Sequence, residues 1–262
     1  MKRIASLVAA ATLVMVGCSD DKNNNPTPDN SNYFPTTQGS YWVSDTKELS
    51  GDASNPTEKN PGVDSTFVNR TNVTVGGQVA TEFVTHSTVG ETMSMDTVYF
   101  RNDASKTYRY FELAIDGITG MSGVDLGARW MLMADANATA EWTSLDETIS
   151  DIPLTYQGMS MKGTAKLKFT GKKVGAETLT VGGTAVTTLH YTTTLKIDLS
   201  IDTQNPIFGT ITVPISTNTD VWVAKNIGIV KTLTPPSKIT VGSFGNVDID
   251  GSSNVLVRYS IK

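Results

Sequence analysis

From Leu189 to Ile201 the chain alternates. Leu189, Tyr191, Leu195, Ile197, Leu199 and Ile201 fall on one face, and His190, Thr192, Thr194, Lys196, Asp198 and Ser200 on the other. A period of two predicts a strand with one apolar face, and a slip of one residue would reverse both faces. The same pattern predicts strands through Ala165, Leu167 and Phe169, through Ile211, Val213 and Ile215, and through Val255, Val257, Tyr259 and Ile261. Gly76-Gly77 and Gly182-Gly183 suit two-residue hairpin turns that need positive φ, and Asp250-Gly251 is a third signal of that kind. Ala128 to Leu145 carries several alanines that favour helix locally, yet Trp130 and Trp142 at its ends suit strands, so strand–loop–strand is the reading preferred. Thr74-Val75-Gly76-Gly77 recurs as Thr180-Val181-Gly182-Gly183, and Val98-Tyr99-Phe100 parallels Val221-Trp222-Val223, a weak internal repeat of hairpin and aromatic-bearing strand.

Composition sharpens this picture. The 262 residues include 38 threonines, and only 18% are charged. Threonine is β-branched and suits a half-wet pleated surface, which argues against helical bundles and coiled coils. The prediction is an all-β domain: one curved antiparallel sheet, a half-barrel or open barrel with little helix.

The amino end follows a different rule. Lys2 and Arg3 precede an apolar run from Ile4 to Val16, which as a helix would reach about 20 Å, short of a hydrocarbon core of about 30 Å. A secretion signal over residues 1–17 fits better than a permanent span. The single cysteine, Cys18, follows at once. Met15-Val16-Gly17-Cys18 resembles the lipobox of bacterial lipoproteins, with Met15 in place of the usual leucine. The resemblance implies cleavage before Cys18 and its lipidation as a diacylglyceryl thioether, with fatty acyl chains such as palmitate as the anchor. Removing Lys2 and Arg3 leaves 19 basic against 26 acidic residues, a formal charge of −7. That balance disfavours nucleic acid as a partner. With Cys18 acylated, no disulfide is available.

Residues 18–32 comprise the acylated cysteine and a polar tether, SDDKNNNPTPDNSN, and residues 33–262 a single β-rich domain. Asp20 and Asp21 resemble acidic export signals of surface lipoproteins, although a plain linker accounts for them. Ser19 offers no aspartate-type retention signal, which points to the outer membrane, on its periplasmic face or at the cell surface.

The body itself resembles secreted bacterial lipoproteins of unknown role. The residues that carry this are Tyr33-Phe34-Pro35 with Gly39 and Tyr41-Trp42-Val43, Gly175-Ala176-Glu177-Thr178, and the stretch Trp222 to Lys231. The resemblance implies a strongly curved antiparallel sheet similar to the half-barrel of periplasmic lipoprotein carriers, without evident lid helices.

Catalytic signatures are missing. Neither a Gly-x-Ser-x-Gly elbow, a His-Glu-x-x-His pair nor a phosphate-binding glycine loop occurs. His86 and His190, the two histidines, read as surface residues, so no catalytic, metal or cofactor-binding residue is assigned. Asn246-x-Asp248-x-Asp250-Gly251 copies half a calcium loop, but Val257 stands where a bidentate glutamate is required. Asp96, Asp116, Glu141 and Glu147 are conceivable carboxylates for a glycan hydrolase, the weakest reading. Trp42, Trp130, Trp142 and Trp222 suit either a core or a stacking groove.

The sequence therefore points to a non-catalytic, membrane-anchored envelope lipoprotein that binds an apolar ligand or an envelope protein on a concave sheet. A structural or adhesive surface module is the alternative.

Overall fold

In the computed structural model the described residues are 29, 31–115, 121–122, 124–156, 159–202, 209–240 and 245–262. Cys18, the signal, most of the tether and Asp116 lie outside them. Alternation becomes strand nearly everywhere, and no helix occurs among the described residues.

A first meander runs through β1 (Tyr41–Asp52), β2 (Asn55–Val75), β3 (Gln78–Val89), β4 (Thr92–Asp103) and β5 (Lys106–Ile115). Next come β6 (Met121–Ser122) and β7 (Val124–Asp135). A second meander runs through β8 (Trp142–Tyr156), β9 (Met159–Val181), β10 (Thr184–Asp202), β11 (Thr210–Ala224) and β12 (Gly228–Thr234). A small hairpin, β13 (Ser237–Thr240) and β14 (Asn246–Ile249), leads into the last strand, β15 (Gly251–Ser260). The predicted strand–loop–strand over Ala128 to Leu145 is β7, its loop and β8.

All strands but β13 and β14 form one 13-stranded antiparallel sheet, in the order β6-β8-β9-β10-β11-β12-β15-β1-β2-β3-β4-β5-β7. β15 joins the two meanders, pairing with β12 on one side and β1 on the other. The sheet's two ends also meet. Met121 and Ser122 pair with Tyr156 and Thr155. Farther along, side chains take over from the backbone ladder: the Leu132 amide donates to Ser144 Oγ at 2.7 Å, Trp142 Nε1 donates to the Leu132 carbonyl at 3.2 Å, and Arg129 pairs with Glu147 at 2.8 Å. The result is an open sheet drawn almost shut, a barrel with one seam.

Both double-glycine turns form as predicted, with φ of 55° and 74° at Gly76 and Gly77 and 54° and 83° at Gly182 and Gly183. They hold corresponding places in the two meanders, β2–β3 and β9–β10. The matching aromatic triplets fall on the strands that follow, β4 and β11, as the weak repeat implied.

Two expectations are corrected. In β15 the buried apolar side chain is that of Leu256, 1% exposed, while Val255 and Tyr259 are 37% and 39% exposed. The register jumps from Val43–Arg258 to Ser44–Leu256, leaving Val257 as an extra residue. A bulge of this kind shifts the alternation, so the four apolar residues do not share a face. Asp250-Gly251 is likewise not a hairpin turn. The chain there passes from β14, paired with β13, into β15, paired with β12 and β1. Gly251 lacks positive φ; a Cβ on it would lie 2.1 Å from the Thr234 carbonyl oxygen and 2.5 Å from Pro236 N. Glycine is required by close approach of two backbones, not by a turn.

Strand direction gives the barrel two distinct ends. One is crossed by residues 29 and 31–40, and the Asp29 amide donates to Asn137 Oδ1 at 2.8 Å. Phe34 packs on Phe100 and Phe83, Asn102 Nδ2 donates to the Phe34 carbonyl at 2.8 Å, and the Asn226 amide donates to the Asn32 carbonyl at 2.7 Å. Towards the other end, β13–β14 lays Ile239, Val247 and Ile249 on an apolar cluster that includes Leu167, Leu199, Ile201 and Val213. The core thus lies in three clusters, two of them in contact with Tyr33 or Phe34 of the first segment and the third under β13–β14.

Candidate ligand-binding cavity

Between these clusters the interior is not filled. One cavity of about 340 Å³ lies among β5, β7, β10, β11 and β12. A second, of about 280 Å³, lies against β1 to β4 and the facing part of β15. They share Phe34, Phe100, Arg109, Ile229 and Thr232, so they adjoin. Each is near the lower end of the range typical of small-molecule sites, roughly 300–1,000 Å³.

The walls differ. Phe111, Met131, Met133, Phe169, Leu195 and Val221 make the first cavity chiefly apolar, and threonines interrupt it. Those hydroxyls are largely paired among themselves or with backbone: Thr219 Oγ1 lies 2.9 Å from Thr234 Oγ1, and Thr193 Oγ1 donates to the Thr219 carbonyl at 3.3 Å. Pairing lowers the cost of leaving polar groups facing an apolar space. The second cavity mixes Trp42, Phe83 and Val98 with Ser44, Asp64, Thr66, Thr85, Ser87 and Asp96. Asp64 accepts from Asn254 Nδ2 at 3.0 Å, and Thr66 and Thr85 pair at 2.8 Å.

Arg109 stands where the two meet. It pairs with Phe100 across β4 and Met131 across β7, so it shares their inward direction. Its guanidinium lies 4.6 Å from the centre of the Phe111 ring and 6.0 Å from that of Phe100. Nε is buried and without a hydrogen-bond partner. Enclosure holds the guanidinium below its ordinary pKa, against the opposing influence of Asp96. The signal for Arg109 is local. Thr107, Arg109, Phe111, Leu113 and Ile115 are the inward row of β5, and Arg109 is its one charge. Thr107, Leu113 and Ile115 are buried and Arg109 and Phe111 partly so, and a charge in such a row is costly unless it has a partner.

Tyr191 is a second unpartnered group. It is completely buried beside Trp142, and its hydroxyl, whose pKa burial raises, makes no hydrogen bond. An unpaired buried hydroxyl offsets part of the ring's contribution, so Tyr191→Phe is expected to change stability by no more than about 1 kcal/mol, on the stabilising side. Chemical denaturation of both proteins measures this.

The other residues singled out in the sequence are scattered. Among the described carboxylates, Asp96 lines the second cavity, Glu141 is exposed beside β8, and Glu147 is engaged with Arg129 at the seam. His86 is exposed on β3. His190 lies on the outer face, stacked 4.3 Å over Trp222, with Nε2 2.9 Å from Asp220 Oδ1. Asp248 pairs with Lys238 at 3.3 Å, and among the described residues no cluster of three or more metal-ligating side chains occurs. The tryptophans form no common groove. Only Trp42 lines a cavity; Trp130 Nε1 is tied to the Val75 carbonyl, Trp142 serves the seam, and Trp222 packs outside.

No family model and no curated protein matches the chain. Among solved structures it is similar to a candidate lipoprotein from Parabacteroides distasonis, at 15% identity and a TM-score of 0.44, over 88% of this chain and 100% of that one. It is also similar to a candidate exported protein with a YmcC-like fold from Bacteroides fragilis, at 15% identity and a TM-score of 0.38, over 88% and 99% of the two chains. At this distance neither says what this chain binds.

Proposed function

We propose that this chain is a lipid-anchored protein of the bacterial envelope, non-catalytic, whose barrel interior accommodates an apolar ligand. The pair of adjoining interior cavities carries the reading. A barrel built only for structure or adhesion would close its interior with side chains, as this one does around Leu199 and around Val68. The middle stays open and is walled by Phe, Met, Leu and Val, which supports occupancy by an apolar chain.

The anchor belongs to the same reading. Cys18, acylated after the signal is removed, would hold the body at the membrane, and two or three acyl chains give stable attachment where one would not. The outer membrane is the proposed location.

Thermal unfolding in dodecanol tests the cavity. A ligand that binds only the folded state adds RT ln(1 + [L]/Kd), about 2.7 kcal/mol at a hundredfold excess over Kd. Tm is expected to rise with dodecanol concentration, and Leu195→Trp, which fills the first cavity, is expected to remove most of the rise. An unchanged Tm up to the solubility limit of dodecanol contradicts the proposal.

A further inference from the structure

We infer that Arg109 is the headgroup site of the interior, and that the ligand is an acyl chain ending in an anion. This rests on the cavity reading above and narrows it. A guanidinium offers five N–H donors in a planar fork. The buried Nε of Arg109 has no hydrogen-bond partner, and among the described residues no carboxylate lies within 4.0 Å of Arg109 as an ion-pair partner. The influence of Asp96 is felt only at longer range. The ring contact with Phe111 supports the guanidinium but satisfies none of its donors.

An unpartnered charge in such a place weakens the empty fold, so it calls for a compensating group. The position says which group. Arg109 lies at the junction of the chiefly apolar cavity and the mixed one. A carboxylate or phosphate placed against its donors leaves the attached chain free to run between Met131, Leu195 and Val221. A neutral amphiphile would fill the same apolar volume and leave the guanidinium unpaired. Other buried arginine donors do not share this geometry. Arg101 also has an unpaired Nε, but its guanidinium lies 4.0 Å over Tyr108, and neither residue lines the two cavities.

Titration calorimetry on the full chain in nanodiscs, with empty nanodiscs subtracted, provides the test. The probes are laurate, dodecyl phosphate and dodecanol. At least one of the two anions is expected to bind about tenfold or more tighter than dodecanol, as hydrogen bonds to a charged group imply. The tighter anion identifies the headgroup. Arg109→Met is expected to abolish the preference while keeping dodecanol binding, and Arg109→Lys to restore part of it. Arg109→Met should also unfold at a temperature no lower than the parent, which a purely structural arginine would not allow. Equal binding of all three probes overturns the role of Arg109 and leaves the cavity reading standing. If none of them binds, both readings fail together.

Discussion

Cys18→Ala is expected to move the protein from the membrane pellet to the soluble or uncleaved fraction and to abolish incorporation of labelled palmitate. Each buried methylene contributes roughly 0.8 kcal/mol, so two or three acyl chains together make a stable anchor. Among the described residues no helix is long and apolar enough to cross a membrane. Residues 19–28 offer no apolar substitute. Carbonate extraction of the parent and the variant, with label followed in parallel, measures the effect. A variant that still takes up palmitate, or a parent that never does, removes the anchor from the account.

Gly251→Ala is expected to destabilise the barrel by about 3 kcal/mol or more. The methyl group would sit 2.1 Å from the Thr234 oxygen, 2.5 Å from Pro236 N and 2.6 Å from Pro235 C. All three are backbone atoms, so no rotamer change can relieve the contact. The place matters as well as the clash. Gly251 opens β15, the strand that ties β12 to β1, and its neighbour Ser252 pairs with Thr234. Relief by moving β15 would loosen the junction between the two meanders. Gly77→Ala is the useful comparison. Unlike Gly251, Gly77 sits at positive φ, 74°, and a Cβ there meets nothing within 4 Å, so its cost should be about 1–2 kcal/mol. Denaturant unfolding of the two variants separates backbone collision from conformational strain.

Much of the fold was legible because a period of two is a local signal. β9, β10 and β11 bury most of the predicted residues: Ala165, Leu167, Leu199 and Val213 are wholly enclosed, while Leu189, Leu195 and Ile215 are half-buried. The double-glycine turns are local too, since positive φ at two successive residues leaves few alternatives. β15 failed for a physical reason. Its bulge at Val257 is set by pairing with Val43 and Ser44, more than 200 residues away in sequence. Near-closure of the sheet is equally non-local. It depends on Met121 and Ser122 reaching β8 and on Trp142, Arg129 and Glu147 bridging the seam.

The candidate site was harder to see. Thr193, Thr217 and Thr219 face inward, yet threonine on a strand looks like a solvent face, so the row that lines the cavity did not present itself as interior. Arg109 was visible in principle as the charged member of an inward row. What its neighbours leave empty around it is a tertiary fact, decided by strands β4, β7 and β12 together. Asp250-Gly251 misled in the opposite direction: a strong turn pair is also what two close backbones require.

Native mass spectrometry of the protein purified from its own membrane tests the central claim most directly. The account predicts a population heavier than the acylated polypeptide, whose extra mass is released on gentle activation and fragments as an anionic, single-chain amphiphile. A spectrum showing only the acylated polypeptide, unchanged after incubation with laurate, dodecyl phosphate or dodecanol, would contradict it.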